Sequence, residues 1–174
     1  MAGTETITEK FTWEGSRVFV KKHTETTWNK ETHLLSNVDT ASHNDNGTTI
    51  INGNDLDSTD RITEKLPGHT DPGSISITVN RTKKNIAKIE ELEGIRYSST
   101  SSGTLVDVAM IFPAGLNESN AQEYWSVQFD GAFVTQVDTF NNVGSDSIQK
   151  AVINIELRTK PHEVASGDIA TLMA

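Results

Sequence analysis

Gln122-Glu-Tyr-Trp125-Ser-Val127-Gln-Phe129-Asp-Gly131-Ala-Phe133-Val-Thr135-Gln-Val137-Asp-Thr-Phe140, with the turn Asn141 to Ser147 and the run Ile148 to Lys160 behind it, is the stretch on which the fold turns. Its odd positions, Trp125, Val127, Phe129, Gly131, Phe133, Thr135 and Val137, read as an apolar face. The even ones, Ser126, Gln128, Asp130, Ala132, Val134, Gln136 and Asp138, read as a wet one, a period-two pattern that predicts a half-buried strand. The second run repeats it, with Ala151, Ile153, Ile155 and Leu157 opposed to Asn154, Glu156 and Arg158. Strands usually run about 5–6 residues, so this ribbon is long. A two-stranded ribbon does not bury its apolar face alone, and the rest of the chain or a sister copy must cover it.

The surrounding composition sets bounds. A chain of 174 residues is read as one domain, 1–174, large enough for a real core. Hydrophobic residues are 34% and mean hydropathy is −0.43, which predicts much polar loop or arm. Twenty-four acids against 15 Lys and Arg give a net charge of −9, a surface that repels phosphate backbones. With no cysteine there is neither a disulfide framework nor a thiolate metal site. The start of the chain lacks the pattern of a signal peptide, and no run of eighteen apolar residues occurs, so a chain made and assembled in a cytoplasm is expected.

Outward from the ribbon, residues 1–10 read as an N-terminal arm and 161–174 as a C-terminal arm. Arg17 to Lys22 is expected as a strand, paired with a weaker one around Thr32 to Val38. Residues 39–72 form an extended polar loop with seven acids and two bases (Arg61, Lys65), in which Thr48–Ile51 and Arg61–Leu66 are hairpin candidates; loops of such length are usually functional or disordered. After the turn Asp71-Pro72-Gly73, Ser74 to Asn80 alternates cleanly. One helix follows, with Thr82 as N-cap, Ile86, Ile89 and Leu92 on one stripe, and Gly94 at its end. Lys83 and Lys84 in its first turn and Glu90, Glu91 and Glu93 in its last oppose the helix dipole, each end forgoing roughly 0.3–1 kcal/mol. These charges read either as a solvated face or as contacts with a neighbouring copy. Thr104 to Phe112 is a further strand, with Val106, Val108, Met110 and Phe112 on one face, ended by Pro113.

Catalytic and metal-binding patterns are not met. His23, His33, His43, His69 and His162 never fall at paired zinc spacings. Asp55-Leu-Asp57-Ser-Thr-Asp60 lacks the glycine and the bidentate Glu of a calcium loop. No phosphate cradle, nucleophile elbow or helix-borne His pair is present, and the reading is of no enzyme, cofactor or metal. Trp13 and Trp28 are the candidates for a sugar-stacking platform, with Trp125 assigned to the core stripe. They carry the alternative of a carbohydrate-binding β-sandwich adhesion module.

The order arm, hairpin, long polar loop, clean strand, helix and terminal ribbon resembles the major tail tube protein of long-tailed, siphovirus-type bacteriophages. Trp125 to Ile155 is similar to that family's last hairpin, and Ser74 to Gly94 to its helical unit. The resemblance covers about Phe11 to Lys160. It implies a mainly β fold with one α-helix: two packed antiparallel sheets, sandwich- or barrel-like, with a long loop and terminal arms. It further implies a structural virion protein that closes into hexameric rings and stacks into the tail tube, the conduit for DNA ejection, assembled in the host cytoplasm. Partners so implied are further copies of the chain, a tape-measure protein, and tail terminator and tail tip proteins. DNA passes the lumen without specific binding, and no membrane is involved. Ser126, Gln128, Asp130, Asn154 and Glu156 are nominated as lumen-lining. Asp55, Asp57, Asp60, Arg61, Lys83 and Lys84 are nominated as inter-subunit residues.

Overall fold

The structure, a computed structural model, describes residues 15–53, 64–98, 105–141 and 148–174. Its elements are β1 (Arg17–Lys22), α1 (Lys30–His33), β2 (Leu34–Leu35), β3 (Val38–Asn44), β4 (Gly47–Gly53), β5 (Glu64–Asp71), β6 (Ser74–Asn80), α2 (Ile86–Arg96), β7 (Leu105–Leu116), β8 (Gln122–Asn141), β9 (Lys150–Glu156) and α3 (Ser166–Met173). There are two antiparallel sheets. Seven strands run in the order β2-β1-β7-β8-β9-β6-β3, and β4 with β5 forms a separate hairpin. The mainly β, two-sheet architecture with one main helix is therefore as the resemblance implies.

The large sheet curls around one core. Val18 and Val20 of β1, Leu35 of β2, Ile75, Ile77 and Val79 of β6, Val106 and Val108 of β7, and Ile153 and Ile155 of β9 pack together, and Val38 and Ala41 of β3 join them from the far edge. Both edge strands reach the same core because Ser36 and Asn37 link them directly. Asn37 holds φ +59, a left-handed turn conformation that Asn tolerates. Asn85, fully buried, fastens this turn: its Nδ2 donates to Ser36 O and to Asn80 O, both at 2.8 Å. α2 plugs the concave side with Ile89, Leu92 and Ile95.

Several expectations shift. The helix starts at Ile86 with Asn85 at its N-cap, and ends with Tyr97 at its C-cap, so Thr82 and Gly94 do not cap it. Lys83 and Lys84 thus precede the helix, and Glu91 sits mid-helix, paired with Lys88 (2.9 Å) and Lys22 (3.1 Å); the opposition to the dipole largely disappears. Burial pushes the Glu91 carboxyl up, but these two ammonium groups outweigh it and hold the group below the ordinary range. The expected partner of β1 near Thr32–Val38 shrinks to Leu34 and Leu35, because Asn29 caps a helical turn with its side chain accepting from Glu31 N–H and Thr32 N–H. Of the tract expected as polar loop, β3 is an edge strand of the main sheet and β4–β5 a hairpin wider than the two islands suggested. Asp55, Asp57, Asp60 and Arg61, like Trp13 and residues 1–10, lie outside the described residues. The C-terminal segment expected as an arm carries α3, whose Leu172 is fully buried.

The largest correction concerns β8. Its core-facing residues are Val127 and Phe129, then Ala132 and Val134, then Val137, so the odd-position stripe does not run through. Two register shifts reset the phase, one opposite Val106–Val108 and one opposite Asn154–Ile155. Each adds one unpaired residue and turns the following side chains over. At the first shift Gly131 holds φ +62, a conformation in which a Cβ is strained.

Candidate functional site

The convex face of the large sheet divides into two halves. Over β1, β7 and the first half of β8 it is apolar and covered: Phe19, Ala109 and Ile111 are fully buried, packed with Trp28, Val164 and Leu172. The cover is α1 together with the segment from His162 onward. Gln128 and His162 exchange backbone hydrogen bonds (2.7 and 3.0 Å), the Ser126 hydroxyl accepts Val164 N–H at 3.1 Å, and Arg17 donates to Leu172 O at 3.0 Å. Lys30 also donates to the carbonyl of Ala174.

Over the second half of β8, β9, β6 and β3 the same face is polar. Antiparallel register sets three rows across the four strands, Phe133-Glu156-Ser74-Asn44, Gln136-Asn154-Ser76-Ser42 and Asp138-Val152-Thr78-Thr40, with Asn141-Lys150-Asn80 closing the face at one margin. None of the twelve residues in the three rows is buried. Directly opposed residues on an antiparallel pair share a face, so the rows form one surface of hydroxyls and amides with two carboxylates and no cation. Asn154 Nδ2 donates to Gln136 Oε1 at 2.9 Å, and the Thr135 hydroxyl donates to Asn154 O at 3.1 Å. Lys150 pairs with Asp39 (2.8 Å) at one end, and the Arg158 guanidinium lies 5.2 Å from the Phe133 ring at the other.

Between the halves lies a buried polar knot. The Asp107 carboxylate accepts from Lys21 Nζ at 2.6 Å, from the His23 ring Nδ1 at 2.7 Å, and from Gly131 N–H at 2.8 Å. Lys21 also donates to Glu25 O at 2.6 Å and stands 5.0 Å over the Trp28 ring. Burial pushes the Asp107 carboxyl up, but the hydrogen bonds from Lys21, Gly131 and His23 prevail and hold it below the ordinary carboxylate range. The knot ties off the backbone amide that the bulge at Gly131 leaves out of the ladder, and so fixes where the strand changes phase.

The five lumen nominees are split by this arrangement. Asn154 and Glu156 lie in the open rows. Ser126 is buried beneath Val164, Gln128 is bridged to His162, and Asp130 hydrogen-bonds Gln128 Nε2 (2.6 Å) and Thr159 Oγ1 (2.9 Å). Gln128 and Asp130 belong to the covered half and are bound up with the C-terminal segment. Lys83 and Lys84 are exposed. Trp28 is 6% exposed and is core, whereas Trp125 is 50% exposed, overhanging the core at the end of its stripe against Phe112 (ring centroids 5.1 Å). His43 Nε2 donates to Pro72 O (2.8 Å) and its ring lies 5.3 Å from Phe129. Among the described residues no group of three or more metal-ligating side chains converges.

Sequence reasoning missed Gln136, Ser76, Thr78, Ser42 and the knot. The even positions of Ser74–Asn80 announced Ser76 and Thr78; the cover of the other half was announced by Leu105–Phe112, where every residue but Asp107 is apolar. A strand without alternation is buried on both faces.

Comparison with known proteins places the fold. A chain of the anti-feeding prophage cap, the tube-terminating cap, matches with TM-score 0.60 at 15% identity, over 93% of this chain and 97% of its own. One from the sheath/tube terminator of an extracellular contractile injection system (PVC) in the extended state matches at 0.62 and 13%, over 92% and 100%. One from the sheath–tube complex of that system matches at 0.62 and 13%, over 93% and 100%. At these identities the likeness is one of fold, and that fold is the one found in tube and terminator components of phage-tail-like particles. No protein-family model matches the sequence, and no curated protein does.

Proposed function

We propose that this chain is a structural subunit of a phage-type tail tube: copies join side by side into a hexameric ring, rings stack, and the bore conducts DNA. The observation that carries the reading is the uncovered polar half of the sheet, whose three central rows, four strands wide, contain no cation, with Lys150 at one margin paired to Asp39 and Arg158 at the other. Hydroxyls and amides have no net charge to hold a phosphate, and Glu156 and Asp138 repel it. A chain of net charge −9 handles DNA in this reading by not binding it.

Side-by-side joining follows from the sheet edges. β3 is a seven-residue edge strand, Val38-Asp-Thr-Ala-Ser-His-Asn44, with neither Pro nor Lys. Natural proteins blunt exposed edges with such residues, or by covering them, and pairing with a sister copy covers this one. The fold shared with tube and terminator chains supports the same role. Those matched structures belong to contractile systems and include a sheath–tube complex; the siphovirus-type, non-contractile tail suggested by the sequence draws no added support from them, and the proposal is set at the tube subunit. Tape-measure, terminator and tip proteins are its expected partners, the virion tail its expected location, and non-enzymatic assembly its role.

Negative-stain microscopy of concentrated protein tests this. Rings or tubes with an open bore are expected. A compact monomer at every concentration and salt would overturn the reading.

A further inference from the structure

We propose that Asn46 is a site of self-modification, where the Gly47 amide nitrogen displaces the Asn46 side-chain nitrogen and leaves an aspartyl or isoaspartyl residue at the foot of the β4–β5 hairpin. The inference goes beyond the tube reading and does not depend on it. Asn-Gly is the pair most open to this reaction, because glycine has no side chain to crowd its own nitrogen. It occurs twice, at Asn46-Gly47 and Asn52-Gly53, and the fold treats the two differently. Asn52 and Gly53 lie inside the β4–β5 ladder, opposite Lys65 and Glu64. Pairing fixes the backbone extended, and a turn that brings the Gly53 nitrogen onto the Asn52 side chain must break it.

Asn46 lies instead in the gap between β3 and β4, where the chain passes from the large sheet to the hairpin. It is exposed, Gly47 holds φ +70, and nothing stands within 4 Å of where a Gly47 Cβ would be. The Gly47 N–H donates to Asp45 Oδ1 at 2.8 Å, and Asn46 Nδ2 donates to Asp71 Oδ2 at 2.9 Å. One carboxylate thus stands at the proton of the attacking group and another at the group that departs. Hydrogen bonds from Asn46 and from Gly73 N–H hold the Asp71 carboxyl below the ordinary range, so it is ionised at neutral pH. In the reaction the Gly47 nitrogen bonds to Asn46 Cγ, its proton passing to Asp45. The Cγ–Nδ2 bond breaks, and the departing nitrogen takes up that proton and leaves as ammonia, steadied by Asp71 as it gains charge. Water then opens the cyclic imide. The product sets a carboxylate against Asp71 where an amide had donated, so the hairpin loses a tie at its foot and gains repulsion.

Timed incubation tests the site. Wild-type protein is held at mildly alkaline pH, folded or unfolded in urea, then digested, and peptide fragmentation in the mass spectrometer locates each conversion of amide to acid. In the folded protein Asn46 is expected to convert on the order of tenfold faster than Asn52, since its reacting groups are already gathered. In urea the two are expected to convert at similar rates. Asp45→Asn and Asp71→Asn keep an oxygen acceptor at each place and remove the charge. Each is expected to slow Asn46 about fivefold in the folded protein, less than a base matched to the working pH would give, and not at all in urea. Asn46→Asp, which carries the product's charge, is expected to speed hydrogen exchange in β4 and β5 with β6 and β9 unchanged. Conversion of Asn46 no faster than of Asn52 in the folded protein, or at the wild-type rate in both carboxylate variants, would overturn the proposal. Neither result bears on whether copies assemble into tubes.

Discussion

The covered and bare halves of the convex face belong to one sheet, and β8 runs through both, yet they differ in every property that matters for function. On the covered half the outward residues Phe19, Ala109 and Ile111 are fully buried under chain that returns from the C-terminal side. On the bare half the outward residues are mostly Ser, Thr, Asn and Gln, with Glu156, Asp138, Phe133 and Val152 among them, and α1 and α3 lie against β1 and each other instead of reaching them. One half is stability and the other is surface. The dividing line is set by the two register shifts in the middle of β8, at Gly131 and between Val134 and Gln136, the first pinned by Asp107, since without them the core-facing stripe would stay in one phase.

If that division is right, the largest effects on folding come from the covered half. Phe19→Ala removes a fully buried ring and is expected to cost about 3–5 kcal/mol. Asp107→Ala strands the buried Lys21 ammonium beside it and is expected to cost a similar amount, about 3–5 kcal/mol. For a chain of this size each implies a fall in Tm of roughly 6–20 °C. Differential scanning calorimetry of the two variants measures it; losses under about 1 kcal/mol at both sites would erase the distinction between the halves.

Much of this division was legible beforehand. Ser74–Asn80 and Ala151–Leu157 alternate, and they became strands with one wet face. What alternation could not convey is phase: an inserted residue leaves no mark on local pattern. Gly131 was the available sign, because a glycine inside a strand marks a bulge or a close approach, but the knot that fixes it joins residues 86 positions apart. Trp28 and Trp125 were exchanged for the same reason, since burial depends on where the core ends and not on which way a side chain points. The polar C-terminal stretch hid α3 because only Val164 and Leu172 of it are buried, too few to print a period.

A smaller effect is expected with pH, and it separates the cover from the sheet. His33, buried against Trp28, accepts Asn29 N–H on Nδ1 (2.9 Å), so its proton sits on Nε2, facing Glu25 (2.9 Å). Burial lowers its pKa, and although Glu25 raises it, the net shift is downward. The unfolded chain therefore binds this proton more readily, and stability falls as pH drops below about 6.5, the unperturbed value. Protonation at Nδ1 also breaks the Asn29 bond that seats α1. Hydrogen exchange at pH 7.5 and 5.5 is expected to show faster opening of α1 at the lower pH, with β6 and β9 unchanged. His33→Gln, carrying no titrating group, is expected to remove the difference.

The bare half should answer to the opposite kind of measurement. Asn154→Lys alters an accessible side chain in the middle row, and its cost to folding is expected to stay within about 0.5 kcal/mol. In an assembled tube the same change repeats around each ring and, made together with Asp138→Asn and Glu156→Gln, turns an anionic bore into a cationic one. Tubes of this variant are expected to retain a labelled DNA duplex at low salt and release it as salt rises, because such contacts exchange for counterions, while wild-type tubes retain none. Thr32→Lys in place of Asn154→Lys, on exposed α1 over the covered half, serves as the control, since a lysine there adds the same single positive charge on the side away from the polar rows. Equal retention by both variants would mean that the rows do not face the bore. Retention only by the variant that carries Asn154→Lys, at unchanged Tm, ties the polar half to the conduit and leaves the covered half with folding as its only task.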